Sequence, residues 1–155
     1  MLNKFCKKNQ TIMVDNHIRQ NSDSNLKAAE LLFENFQYAP SVHCAYYSVF
    51  QLIKCVINDF FGCNFEDQEK ELIQAKLQKA TKNIGVHSYT ISKFCNETKK
   101  YSTTEYLFFN RNIKDLQNFR LNSDYKNIAI NLKDSETALK IAKEINEKII
   151  DKFHV

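Results

Sequence analysis

Hydrophobic positions recur along this chain at helical rather than strand spacing. The longest such stretch follows Pro40 and reads SVHCAYYSVFQLIKCVINDFF, Ser41 to Phe61. Val42, Ala45, Tyr46, Val49, Phe50, Ile53, Val56, Ile57 and Phe60 fall at the i, i+3, i+4, i+7 recurrence of one helical face. A stripe this wide has no use on an isolated helix in water. It predicts a central helix, capped by Ser41 after the break at Pro40, ended by Gly62, and covered by its neighbours.

The flanking segments repeat the pattern more weakly. Ser24 or Asn25 is placed to cap a first helix, with Leu26, Ala29, Phe33 and Phe36 on one face, ending near Tyr38. Phe65 to Ala80 has a narrow stripe of Phe65, Leu72, Ile73 and Leu77, and charges elsewhere, which predicts a solvated helix closed by Gly85. Val86-His87-Ser88 opens a helix with Tyr89, Ile91, Phe94 and Cys95. A Ser102-Thr103-Thr104 cluster precedes a long segment with Leu107, Phe108, Ile113, Leu116 and Phe119. Asn110, Arg111 and Asn112 interrupt that pattern, so its helix is expected to begin only around Ile113. Lys126 to Lys133 reads as a connector. Asp134 or Ser135 then caps a last helix with Ala138, Ile141, Ala142, Ile145, Ile149 and Phe153 in register. Residues 1–23 are polar and aperiodic and are expected to form an N-terminal arm, with 24–155 as a single helical domain.

Composition supports the same picture. Two glycines and one proline in 155 residues are few for a sheet protein with its many turns. The expected fold class is all-α, an up-and-down bundle of four to five helices. The net charge of +4 permits a polyanionic partner such as RNA but does not demand one. The five cysteines include no CxxC pair, and the N-terminal residues show no apolar stretch of the signal-peptide kind. The expectation is a cytoplasmic chain with reduced thiols, no metal site, no cofactor and no membrane segment, since no apolar run nears the roughly 20 residues of a span.

Candidate chemistry concentrates in LQNFRLNSDYKN, Leu116 to Asn127. On a helix Arg120 and Asp124 share a face and Tyr125 sits at its edge. An arginine fork can hold a phosphate through two hydrogen bonds, a carboxylate can orient that fork, and a phenol can move a proton or accept a modification. The plainer alternative is an i, i+4 ion pair with Tyr125 as a packing anchor. Of the histidines, His87 opens a helix and His43 falls in the first turn of the central one; either is read as a capping or packing residue.

Taken together, several short motifs resemble the HEPN superfamily (higher eukaryotes and prokaryotes nucleotide-binding). They are Ala28-Ala29-Glu30-Leu31-Leu32 on the first helix, Ala45-Tyr46-Tyr47-Ser48-Val49-Phe50 on the central one, His87 with Phe94 after it, Arg120 followed by Asp124-Tyr125, and the Ala- and Ile-rich final helix. The resemblance spans roughly Ser24 to Lys152. It implies a helical bundle that pairs as a homodimer. It also implies a metal-independent endoribonuclease of toxin–antitoxin or defence type, whose partner is often a nucleotidyltransferase that can adenylylate a tyrosine. Carried onto this chain, the site residues would be Arg120, Asp124, Tyr125 and His87. The rival implication is a non-catalytic module that binds nucleotide, RNA or the nucleotidyltransferase. The family's Arg-x(4–6)-His motif lacks its histidine here. Asp124, Tyr125 and Lys126 occupy that region, and neither a phenol near 10 nor a carboxyl near 4 matches an imidazole as a proton carrier at neutral pH.

Overall fold

A computed structural model of the chain describes residues 17–77 and 85–155. Among them are six helices: α1 (His17–Glu34), α2 (Tyr38–Asp59), α3 (Phe65–Leu77), α4 (Val86–Tyr101), α5 (Thr103–Tyr125) and α6 (Leu132–Phe153). The fold is all-α, as expected. Five of the helices form the bundle; α3 contributes no residue to the main core and rests beside α4. Its charged surface is solvated, and Ile73 and Leu77, expected on its buried stripe, are exposed.

The central rod is α2. Val42, Ala45, Tyr46, Val49, Phe50, Ile53, Val56 and Ile57 are all buried, as the periodicity requires, while Phe60 lies past the helix end and is partly exposed. Around this rod pack Ala29 of α1, Phe94 and Cys95 of α4, Phe109, Ile113 and Leu116 of α5, and Ala138, Leu139, Ala142, Ile145, Ile149 and Phe153 of α6. Polar pins cross the helix pairs. Ser41 Oγ donates to the Ala29 carbonyl at 2.8 Å, Ser22 Oγ donates to the Ser48 carbonyl at 2.7 Å, and Asn146 Nδ2 donates to Ser48 Oγ at 3.0 Å. Each satisfies a group that would be costly to bury alone.

Several boundaries differ from the sequence reading. α1 begins at His17, seven residues before Ser24, and Ser22 is buried in it. Pro40 does not precede α2 but stands in its first turn, where the missing N–H would have had no helical acceptor. Ser41 is therefore inside the helix and pins α1 instead of capping α2. α5 runs unbroken from Thr103: Asn110 and Arg111 lie on its exposed side, and Asn112 bonds back to the Phe108 carbonyl. Ser102 caps it by accepting from the Glu105 N–H, and Asn131, rather than Asp134 or Ser135, caps α6 in a capping box with Asp134. The expected end of the third helix at Ala80 and the thiol of Cys6 lie outside the described residues; Cys44, Cys55, Cys63 and Cys95 are not joined in disulfides.

The α1–α2 corner carries a strained residue. Phe36, expected on the buried face of the first helix, lies beyond its end at φ 60° and is 75% exposed. The Gln37 N–H reaches back to the Leu32 carbonyl at 2.8 Å, closing a turn whose left-handed position suits glycine. A non-glycine residue there costs about 1–2 kcal/mol. Phe36→Gly is therefore expected to stabilise the fold by about 0.5–1 kcal/mol, after the greater chain entropy of glycine is subtracted. Urea unfolding of the two proteins measures it, and a loss of stability would show that the Phe36 ring has a packing role.

Candidate functional site

The site forms where α5 passes α2 in the opposite direction. On α2, His43 and Tyr47 lie one turn apart; on α5, Arg120 and Asp124 do the same. The antiparallel pairing sets these two pairs face to face. The crossing is held by Ser123 Oγ, which donates to the Ala39 carbonyl at 2.9 Å, and by Ser135 Oγ of α6, which donates to the Tyr38 carbonyl at 3.2 Å.

Arg120 is the centre of this cluster. Its side chain is 11% exposed. Nε lies 2.8 Å from Asp124 Oδ2, but its N–H is not aligned with that oxygen, so the contact is an ion pair more than a hydrogen bond. Nη2 donates to the Tyr125 hydroxyl at 2.7 Å and to the Tyr47 hydroxyl at 3.3 Å. The guanidinium carbon lies 4.6 Å from the Tyr125 ring centre, 5.5 Å from Tyr46 and 5.8 Å from Tyr47. The positive charge thus sits among three aromatic rings. Burial works against that charge, yet Tyr47, Tyr125 and Asp124 together hold the group above its ordinary basicity. It stays cationic at any physiological pH. Among the described residues Nη1 takes no hydrogen bond, which leaves one corner of the fork for an anion.

The four residues singled out in the sequence divide three and one. Arg120, Asp124 and Tyr125 touch one another. His87 joins them through an intervening ring: its Nδ1 lies 2.9 Å from the Tyr46 hydroxyl, and its ring stacks on Phe50 at 4.1 Å. His87 therefore packs against the central helix, the plainer of the readings its place at the start of α4 allowed. The residue the sequence reading passed over is His43. It does more than pack against Tyr47; it is 46% exposed, and its Nδ1 lies 2.9 Å from the same Asp124 Oδ2 that faces Arg120. Its i, i+4 spacing to Tyr47 was the only available signal, and that says nothing of a partner 81 residues away.

A family model for the HEPN domain matches residues 16–152. The chain belongs to the HEPN family. The match begins beside the start of α1 and ends one residue before the end of α6, so nearly all of the described bundle falls within the HEPN domain. No curated protein and no solved structure matches this HEPN chain. Among its described residues, no three His, Cys, Asp or Glu side chains converge to hold a metal ion, and no helix is long and apolar enough to cross a membrane.

Burial, then the neighbouring positive charges of Arg120 and Lys54, hold His87 below the ordinary histidine value. The folded chain thus binds this proton less readily than the unfolded chain does. Stability is present above the unfolded value, about 6.5, and is lost as pH falls through it toward the folded value. The melting temperature of the native protein is expected to drop between pH 7 and pH 5 more steeply than that of His87→Gln. Parallel curves from differential scanning calorimetry would rule this out.

Proposed function

We propose that this HEPN chain is a metal-independent endoribonuclease of the toxin or defence type. The observation that carries the reading is the nearly buried guanidinium of Arg120, fixed by a carboxylate and two phenols with one corner unoccupied. A side chain held in this way can receive a phosphodiester without first losing conformational entropy, and its charge acts in a site largely shielded from water. Asp124 orients it. Tyr125, 67% exposed and bonded to Nη2, stands where it can exchange a proton with a bound nucleotide. His87 is held largely uncharged behind Tyr46 and supports that ring. A homodimer is part of the proposal, with a second copy adding its own arginine to a shared cleft; its mass in solution reports on that. The test is incubation of the purified chain with tRNA and mRNA in excess chelator. Cleavage giving 2′,3′-cyclic phosphate and 5′-hydroxyl ends is expected, and intact RNA throughout would exclude the activity.

The exposure of Tyr125 favours a second reading, a binding module regulated by a nucleotidyltransferase. Its side chain is exposed, and the adjacent Arg120 charge would help hold an incoming nucleotide phosphate. With ATP and a nucleotidyltransferase supplied, the native chain should gain an adenylyl group that Tyr125→Phe does not. Equal mass for native chain before and after incubation, with no complex formed, would count against that reading.

A further inference from the structure

We infer that His43 supplies the imidazole that the Arg120 segment lacks, as the proton acceptor of the cleavage reaction. The inference rests on the endoribonuclease reading above and adds to it a residue from a different helix. Its grounds are geometric. His43 Nδ1 and Arg120 Nε converge on a single oxygen, Asp124 Oδ2, at 2.9 and 2.8 Å. A carboxylate only accepts, so Nδ1 carries a hydrogen, and in the neutral ring the lone pair is then on Nε2. The Tyr47 ring lies against the imidazole with centres 4.6 Å apart, which limits its rotation. Nε2 is then a fixed base beside a fixed cation, the two held by one carboxylate.

An open groove of about 340 Å³ borders His43 and the carboxylate that holds it, lined by Ala39, Pro40, His43, Cys44, Ser123 and Asp124. Its volume falls within the range of small-ligand sites, and Ala39, Pro40 and Cys44 give it an apolar floor. The groups that face His43 are Asp124 and, through it, Arg120 on α5, with Tyr47 and Cys44 on its own helix. In the reaction, Nε2 takes the proton of a ribose 2′-hydroxyl. The 2′-oxygen bonds to the phosphorus held at Arg120. The bond from phosphorus to the 5′-oxygen breaks, and that oxygen takes a proton from water. The products are a 2′,3′-cyclic phosphate and a 5′-hydroxyl, and His43 then returns its proton to solvent. Asp124 is a positioning residue in this scheme, since it acts through the two groups it holds.

The test is the pH–rate profile of RNA cleavage by the full chain, for native protein, His43→Ala and His43→Gln. The rate of the native enzyme is expected to fall on the acid side, as for any reaction that needs an unprotonated base. Both variants should lose about 10²- to 10⁴-fold in kcat with little change in KM, and should lack that acid limb. Added imidazole should restore part of the His43→Ala rate. Because the side chain is half exposed, melting temperatures close to native are expected, and they separate a chemical defect from a folding one. If both variants cleave at the native rate with an unchanged acid limb while Arg120→Ala is inert, His43 is not the base and the endoribonuclease reading stands without it. If the folded native chain cleaves no RNA, that reading fails and this inference with it.

Discussion

Replacing Arg120 by alanine is expected to reduce RNA cleavage by the chain at least about 10³-fold, and to relieve any growth arrest caused by its expression. Removal of one preorganised donor from a site of developing negative charge costs about 10²–10³ in rate, and a charge-bearing arginine at a transferring phosphate is worth about 10³–10⁵. Arg120 combines the two roles; Arg111 lies exposed two turns and more away along α5. Some loss of stability is expected as well. Without the guanidinium, Asp124, 16% exposed, keeps only His43 as a side-chain partner, at a cost of about 1–3 kcal/mol. Arg120→Lys separates charge from shape, because an ammonium cannot reach Asp124, Tyr47 and Tyr125 with one rigid fork. It should recover stability more than rate. Single-turnover cleavage and thermal melting on the same three proteins check this, and a fully active alanine variant would remove Arg120 from the mechanism.

The largest effect on stability is expected from Phe94→Ala, a loss of about 3–5 kcal/mol. Phe94 is fully buried and meets Phe109 at 5.2 Å, Phe153 at 5.8 Å and Phe61 at 6.4 Å between ring centres. These rings come from α5, from α6 and from the turn after α2, so no single neighbour can shift to fill the space left behind. Domains of this size are stable by about 5–15 kcal/mol, and the variant should be close to unfolding at physiological temperature. Leu77→Ala is the contrast, since Leu77 is exposed and its loss should stay within about 0.5 kcal/mol. Urea midpoints of the two variants measure the difference; equal midpoints would mean that the aromatic cluster does not hold the bundle together.

What the sequence disclosed depended on how local the cause was. The stripe of α2 and that of α6 are properties of 22 consecutive residues each, and both emerged with the expected faces buried. The site was half legible for the same reason. Arg120, Asp124 and Tyr125 are neighbours on one helix, so spacing alone brought them together. Tyr47 and His43 join them only because α2 and α5 pack antiparallel, and no local pattern encodes that contact. The errors also have local explanations. Asn110, Arg111 and Asn112 looked like an interruption because polar residues in sequence resemble a loop, but two of them occupy the solvent face of a continuous helix. Pro40 looked like a boundary because proline breaks helices in their interior, whereas in a first turn it breaks nothing. The start of α1 was missed because its first turns are polar on nearly every side, and Ser22 is buried for its hydroxyl, not for apolar surface.

The seam of Ser22, Ser48 and Asn146 has a consequence for the far end of the bundle. Hydrocarbon faces tolerate sliding, since one methyl group serves much like the next, but three matched polar groups do not. Advancing either outer helix by a turn against α2 would strand a hydroxyl and an amide in a dry interior, so the seam acts as an index mark that permits one longitudinal alignment. Because Ser48 adjoins Tyr47 in the chain, that alignment is set within one residue of the phenol that Arg120 grips. The hydroxyls of the middle of the molecule thereby become the gauge against which the mouth of the cleft is cut.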